Sequence, residues 1–264
     1  MPAPTLDEVL DILHEIAPLE WAAEWDNVGV LLRPNQEVGP VKKCMLTIDL
    51  TEAVVAEAKN FGADLVVAYH PPIFKPLGRL DAADASQRRV IAALQAGFVV
   101  YSPHTALDAT AGGLADWLIE GALGDDVPEA VHACGDGEYG RLAQLTKPIS
   151  FTALLERLKA LYGVANLQVA KPEGMASEVR AIAVAAGAGS SVLRGARADV
   201  LVTGEMSHHE VLAAVADGTA VVLAGHSNTE RGFLRVLGER LTSEFGEALQ
   251  VKVAESDRDP LAVV

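Results

Sequence analysis

Cysteine is scarce in this sequence, with only Cys44 and Cys134 among 264 residues. Two cysteines cannot build a disulfide framework or a four-cysteine zinc site, so we expect two reduced thiols. Apolar runs are also short: none approaches the ~18 residues of a membrane-spanning helix, and the amino terminus shows no basic segment followed by an apolar core. We therefore expect a cytoplasmic protein that does not enter a membrane.

Basic residues are outnumbered, with 21 Lys and Arg against 36 Asp and Glu, and the formal net charge is −15. An extended nucleic-acid surface needs clustered Lys and Arg, so this composition argues against one. An acidic balance suits a cation-binding cleft, although it more often serves solubility alone. Half of the residues are hydrophobic, and this length can bury a large core in one domain or in two intimate ones.

The sequence contains one short motif that occurs twice. A glycine, an apolar strand-like run and a histidine occur at 97–104 and again at 218–226, and an acid follows each histidine four residues later, as Asp108 and Glu230. Histidines at strand carboxyl ends lie where α/β sheets usually hold their ligands. Imidazole and carboxylate groups converging there suit a divalent metal.

The repeat continues upstream, where Ala-Asp-Leu-Val-Val (63–67) resembles Ala-Asp-Val-Leu-Val (198–202). We therefore expect an α/β fold made of duplicated units. The expected divisions are a first unit at 1–125, a connecting segment at 126–178 without a large inserted domain, and a second unit at 179–264. Two facing copies would bring His104, Asp108, His226 and Glu230 toward one cleft.

Further candidates stand at neighbouring strand ends. His70 precedes two prolines that fix an extended turn, which favours it as a ligand. When the two repeats are aligned, Glu205 occupies the position of His70, so Glu205 is also a candidate residue of the cleft. Asp49 suits either an acid behind a ligand or a helix cap. The segment 187–191 suits a tight turn better than a phosphate loop, since it lacks the Walker lysine.

Two stretches are interpreted as structural. Trp-Asp-Asn-Val-Gly (25–29) is typical of a turn leading into a strand, and a corner is the favoured reading over catalysis. The polar segment 255–260, near the carboxyl end, is predicted to be solvated.

Six motifs in order resemble the GTP cyclohydrolase I type 2 family, also called Nif three-like or dinuclear-metal-centre proteins. They are Trp-Asp-Asn-Val-Gly (25–29), Tyr-His-Pro-Pro-Ile-Phe (69–74), His-Thr-Ala-Leu-Asp (104–108), Gly-Ala-Gly-Ser-Ser (187–191), Thr-Gly-Glu-Met-Ser-His-His (203–209) and Gly-His-Ser-Asn-Thr-Glu-Arg-Gly (225–232). The form with tyrosine at position 69 resembles the eukaryotic-type branch.

The resemblance implies a duplicated, intertwined α/β/α fold with a two-metal cleft between the units, assembled as a ring-shaped homohexamer. By motif position it implies His70, Asp108, His226 and Glu230 as metal ligands, with Glu230 bridging. Many relatives have a further ligating histidine where this chain has Tyr69, a poor replacement. One or two divalent ions per chain are expected, with zinc, iron, manganese, nickel and magnesium equally open, and Glu205 and Tyr69 are possible additional ligands.

The leading hypothesis is a metal-dependent hydrolase of a small, possibly nucleotide or phosphorylated, substrate, with His104 as general base or as a partner behind the ligands. The family name suggests GTP ring opening, but no guanine-specific pocket is visible in the sequence. The rival hypothesis is a non-enzymatic metal-binding scaffold, metal carrier or regulatory interaction protein, because fold and site do not fix function.

Overall fold

The structure is a computed structural model that describes residues 2–35, 37–135 and 138–263. Its α-helices are α1 (Leu6–Ile16), α2 (Glu52–Phe61), α3 (Ala85–Ala96), α4 (His104–Ala109), α5 (Leu114–Leu123), α6 (Phe151–Tyr162), α7 (His208–Ala216), α8 (Asn228–Arg231) and α9 (Phe233–Phe245). Its strands are β1 (Gly29–Leu32), β2 (Lys43–Thr47), β3 (Leu65–Ala68), β4 (Val99–Ser102), β5 (Pro128–Cys134), β6 (Gly140–Ser150), β7 (Gln168–Ala170), β8 (Glu178–Ala185), β9 (Val200–Thr203), β10 (Ala220–Leu223) and β11 (Gln250–Val253). Short 3-10 helices lie at Leu19–Trp21 and Gly246–Ala248.

Contacts divide the chain into two compact units, Met1–Leu107 with Phe233–Arg258, and Asp108–Gly232 with Asp259–Val264. These ranges differ from the expected divisions at 125 and 178. The physical reason is that β11 pairs in parallel with β2, which brings the carboxyl-terminal α9 and β11 into the first unit.

The first unit is built on a five-stranded sheet with the order β1-β4-β3-β2-β11. Strands β4, β3, β2 and β11 run parallel to their neighbours, and β1 closes the edge as an antiparallel partner of β4. Every residue of β3 and β4 is buried, as expected for parallel strands, which are covered on both faces. Met45, Val66 and Phe98 lie in one core cluster of this unit.

The second unit is built on a six-stranded sheet with the order β5-β6-β8-β9-β10-β7. Strands β8, β9 and β10 are parallel, while β7 pairs antiparallel with β10. Three consecutive parallel strands with an antiparallel partner beside the third therefore occur in each unit. This repetition confirms the predicted α/β class and agrees with the duplication read from the sequence.

The segment expected to be a weakly structured connection carries a long antiparallel pair instead. Strands β5 and β6 pair from Pro128↔Leu145 to Cys134↔Gly140, and β6 continues the sheet to β8. In this segment the sequence predicts short strands at 142–145 and 166–170 and a helix at 150–162. Residues of β6 alternate irregularly between buried and exposed, so periodicity alone understated its length.

The segment 255–260 is solvated only in part: Glu255, Arg258 and Pro260 are exposed, but the prediction fails at Asp257. Asp257 is buried, and its Oδ2 accepts a hydrogen bond from the Ile48 backbone N–H at 2.6 Å. Polar sequence predicts exposure, but here a carboxylate satisfies a buried backbone donor. In the described ranges, no helix is both long and apolar enough to cross a membrane.

Candidate metal-binding site

His70 stands at the carboxyl end of β3 in the first unit, with its backbone N–H bonded to the Ile48 carbonyl. Its Nδ1 lies 3.0 Å from Oδ1 of Asp49, a residue just beyond the end of β2. An ionised carboxylate only accepts, so Nδ1 donates, and in a neutral ring the lone pair then lies on Nε2. Of the two roles open for Asp49, partner of the histidine is the one observed, since Thr51 caps α2.

His104 follows β4 and starts α4 with a φ of 33°. That left-handed value is uncommon for a non-glycine residue and is found at sites where the surroundings enforce it. The enforcing contact is Asp26, whose Oδ1 lies 2.7 Å from His104 Nδ1 and whose side chain is fully buried. Its Oδ2 accepts hydrogen bonds from the Thr105 hydroxyl at 2.5 Å and the Thr105 N–H at 3.2 Å.

The electrostatics of Asp26 follow from these contacts. Burial raises the pKa of this carboxyl, but hydrogen bonds from His104 and Thr105 outweigh it and leave the pKa lowered. Asp26 is therefore an anion that fixes the His104 ring with Nε2 directed away from it. The sequence interpretation of 25–29 as a structural corner missed this role. The available sequence signal was a carboxylate, Asp26, just before a predicted strand. Nothing in the local sequence linked Asp26 to His104, which lies 78 positions later.

Tyr69 is almost fully buried, at 3 % exposure. Its ring centroid lies 5.0 Å from that of His70 and 5.4 Å from that of His104, tilted and edge-on respectively. The tyrosine thus packs beside both imidazoles, whose own centroids are 5.5 Å apart, and such aromatic contacts stabilise ring orientation. This arrangement agrees with a packing role at position 69.

In the second unit, His226 and Glu230 meet as the spacing predicted. His226 follows β10, Glu230 lies on α8, and His226 Nε2 is 3.3 Å from Glu230 Oε1. Glu230 is 2 % exposed. Behind the ring, His226 Nδ1 lies 2.9 Å from Oε1 of Glu205. Glu205, proposed as a possible extra ligand, therefore contacts the other side of the imidazole, an arrangement that typically orients a metal-binding histidine.

Gly187 lies directly against the side chains of His226 and Glu230. Its φ is +54°, and a Cβ placed there would lie 2.7 Å from Glu230 Oε1 and 2.8 Å from His226 Nε2. Only glycine leaves space at the two ligand atoms. An imidazole lone pair and a buried carboxylate oxygen facing one cradle are a donor set that fits a divalent ion such as zinc, iron or manganese.

The same loop does not form a phosphate cradle. The Gly187 N–H donates to the Thr229 hydroxyl, and the Gly189 N–H donates to the Thr203 hydroxyl. These amides are used inside the protein, which favours the tight-turn reading of 187–191. Asp108, the remaining predicted ligand, lies on α4 and is buried.

The model of the Duf34/NIF3 (NGG1p interacting factor 3) family matches residues 4–260. The chain belongs to the DUF34/NIF3 family. This membership confirms the resemblance drawn from the six motifs. Among relatives, the NIF3 homologue of Schizosaccharomyces pombe is 41% identical over 267 residues, which cover 96% of each chain. NIF3-like protein 1 of Drosophila melanogaster is 39% identical over 266 residues, 98% of this chain and 89% of that protein.

Solved structures of DUF34/NIF3-like proteins have the same fold. A Bacillus cereus protein related to NIF3 matches with a TM-score of 0.84 and 18% identity over 100% of both chains. Reduced HcgD from Methanocaldococcus jannaschii matches with a TM-score of 0.80 and 26% identity, covering 97% of this chain and 98% of that one. The first of these likenesses shows the fold alone.

Proposed function

We propose that this DUF34/NIF3 protein binds divalent metal and uses it to hydrolyse a small molecule, such as a nucleotide or another phosphorylated compound. The observation that carries the proposal is the pair His226 Nε2 and Glu230 Oε1, 3.3 Å apart against the Gly187 cradle. An imidazole nitrogen and a buried carboxylate oxygen that face the same space are ligand types that zinc and similar divalent ions accept.

The proposed ligand set also includes His70 and Asp108, as the family resemblance implies. Imidazole nitrogens and carboxylate oxygens are both common ligands of divalent metals. The carboxylates of Asp49 and Glu205 lie at Nδ1 of the two histidines, and each ring is proposed to bind the metal through Nε2. When bound, a divalent ion polarises a substrate oxygen and lowers the pKa of water toward ~7.

His104 is proposed to transfer a proton from the attacking water to the leaving group. Its Nδ1–H is held by Asp26, so Nε2 is the atom that accepts a proton from water and returns it to the leaving group. The buried Asp26 anion stabilises the imidazolium that forms. His104→Gln is expected to reduce turnover by roughly 100-fold or more while metal content is retained.

The deciding experiment combines metal content with turnover. The purified protein is expected to carry divalent metal by elemental analysis, and Glu230→Gln to lose most of it. Glu239→Gln is the matched control, because this carboxylate is exposed and pairs with Arg235 on α9. Turnover of a panel of nucleotides and phosphoesters should vanish on chelation. Full metal content in Glu230→Gln would show that the site is elsewhere.

A non-enzymatic role is favoured by one specific feature, the buried Tyr69 at a position where many relatives have a ligating histidine. A protein with a reduced ligand set suits metal storage, metal delivery or a regulatory interaction. Metal content that depends on Glu230, with no chelator-sensitive turnover across the panel, would select this second function.

We further propose that the protein is a cytoplasmic homo-oligomer, as the family resemblance implies for the assembly. The buried, unbridged Cys44 and Cys134 support a reducing compartment. The proposed partners are other copies of this chain and a small-molecule substrate.

A further inference from the structure

Two aromatic side chains of the first unit are largely exposed. Trp25 has 64 % of its surface exposed and Phe74 has 44 %. Their ring centroids are 5.9 Å apart, with the planes inclined by 59°. Aromatic rings of this size gain much free energy from leaving water. Adjacent exposed rings therefore indicate a surface with a binding role.

The backbone beneath these rings is firmly held. The residue after Trp25 is the buried Asp26, which bonds to His104 and Thr105. Asn27 donates from Nδ2 to the carbonyl of Ile73, the residue before Phe74, at 2.5 Å. Hydrogen bonds made by the neighbouring residues thus fix the backbone position of both aromatic residues. A surface that is exposed yet held in place binds at low entropic cost.

His104 supplies the third ring of the group. Its centroid lies 6.2 Å from that of Trp25 and 6.4 Å from that of Phe74, and both pairs meet edge-on. None of the three pairs is stacked face to face. No face of Trp25 or Phe74 is therefore covered by a parallel ring within this group of three.

We propose that Trp25 and Phe74 bind the planar aromatic or heteroaromatic ring of a small ligand by stacking. A flat ring is the group whose shape and quadrupole match an exposed tryptophan face. The net charge of −15 argues for a free small molecule over a nucleic-acid strand, whose phosphates would be repelled. That this ring belongs to the substrate, with its reacting group beside His104, rests on the proposed function. Ring binding itself does not need the metal.

The test uses Trp25 as its own reporter, with adenosine and nicotinamide as probes. Trp21, Trp25 and Trp117 are the three tryptophans of the chain, so the full-length variant Trp21→Phe/Trp117→Phe leaves Trp25 alone. With chelator present, adenosine, nicotinamide or both are expected to quench its fluorescence saturably, whereas ribose does not. Equilibrium dialysis should show binding weakened about tenfold by Trp25→Leu and by Phe74→Leu. Trp21→Leu, at a residue 47 % exposed on the same segment, is the matched control and should bind as the wild type does.

Three results would overturn the inference. One is no quenching by either ring compound, and another is equal affinity in Trp25→Leu and the wild type. The third is a Trp25→Leu protein that dissociates from a larger oligomer, since the rings would then contact a second copy of the chain. None of these results bears on metal content, which Glu230→Gln tests separately, so the two proposals fail independently.

Discussion

The imidazoles of His70, His104 and His226 share one local arrangement. Each directs Nδ1 at a carboxylate oxygen, from Asp49, Asp26 and Glu205 respectively, at distances of 3.0, 2.7 and 2.9 Å. The common consequence is that, where Nδ1 carries the proton of a neutral ring, the lone pair lies on Nε2. A metal ligand and a proton acceptor both need that state, so the carboxylates prepare the rings for either role.

Gly187→Ala is expected to weaken metal binding about tenfold or more, because ligand atoms must be held within about 0.5 Å. The new Cβ would lie under 3 Å from both Glu230 Oε1 and His226 Nε2. Gly163→Ala is the matched control, since Gly163 has a similar φ of +66° with nothing within 4 Å of the built Cβ. Both variants carry backbone strain of about 1 kcal/mol, measurable by urea unfolding, but only Gly187→Ala should lose metal in a titration. Equal metal affinity in the two variants would contradict the cradle.

Glu205→Gln tests the orientation of His226. The amide can present an N–H to Nδ1 and thus favour the tautomer with its proton on Nε2, which cannot bind metal. Mutating such partners typically costs 10–100-fold in affinity, and a loss of about that size is expected in competition with a chromophoric chelator. Glu205→Asp should restore part of it, whereas a purely structural carboxylate would show its effect in unfolding and not in metal affinity.

At the scale of elements, the apolar runs were sufficient to predict much of the fold. Strands β3, β9 and β10 are short and buried, and each was recognised from a β-branched apolar run. Strand β11 and the segment after it were missed, because Gln250–Val253 alternates with polar residues and its place is decided by pairing with β2. The partnership of Asp26 with His104 was likewise invisible, since only the fold brings residues 78 positions apart together.

Glu57 on α2 forms hydrogen bonds with the segment that follows β11. Its Oε2 accepts hydrogen bonds from the Ser256 hydroxyl and N–H at 2.6 and 2.9 Å, and Lys252 Nζ lies 3.0 Å from Oε1. Burial raises the pKa of this carboxyl, but the bonds from Ser256, Glu255 and Lys252 outweigh it and lower the pKa to about 2. The carboxylate is thus strongly favoured over the neutral acid in the folded state.

The lowered pKa predicts a pH-dependent contribution to stability. It is fully present above the ordinary value of 4.5 and is lost as the pH falls from there toward about 2. Glu57→Gln should lower the free energy of unfolding by ~2 kcal/mol near neutral pH. The difference from the wild type should shrink at pH ~3 in urea titrations. Glu52→Gln, in an exposed pair with Arg88, is the control and should change stability by less than ~1 kcal/mol. A difference that persists unchanged into acid would contradict the assignment.

At the scale of the whole molecule, helix α7 is only partly covered by the rest of the chain. Helix α7 reads His-His-Glu-Val-Leu-Ala-Ala-Val-Ala, and none of its residues is buried. Leu212 at its middle is 53 % exposed. Of the six consecutive apolar residues 211–216, three are partly buried, and Leu212, Ala213 and Ala216 are exposed. Exposed apolar residues that adjoin one another on a helix suit a contact surface. This observation, with the assembly that the family resemblance implies, favours association between copies of the chain.

The protein is therefore expected to be a homo-oligomer, with a hexamer as the specific prediction. Multi-angle light scattering at micromolar concentration should give about six times the chain mass of 27.7 kDa. Leu212→Ser, which removes apolar surface from α7, should reduce that mass if α7 lies in an interface between copies. Val127→Ser is the matched control, because Val127 is 69 % exposed outside α7. A monomeric wild type would reject oligomerisation itself, whereas an unchanged mass in Leu212→Ser would reject only the place assigned to α7. Because binding between copies is favoured by mass action, the measurement should be repeated over a dilution series, where a specific assembly keeps one mass until it dissociates.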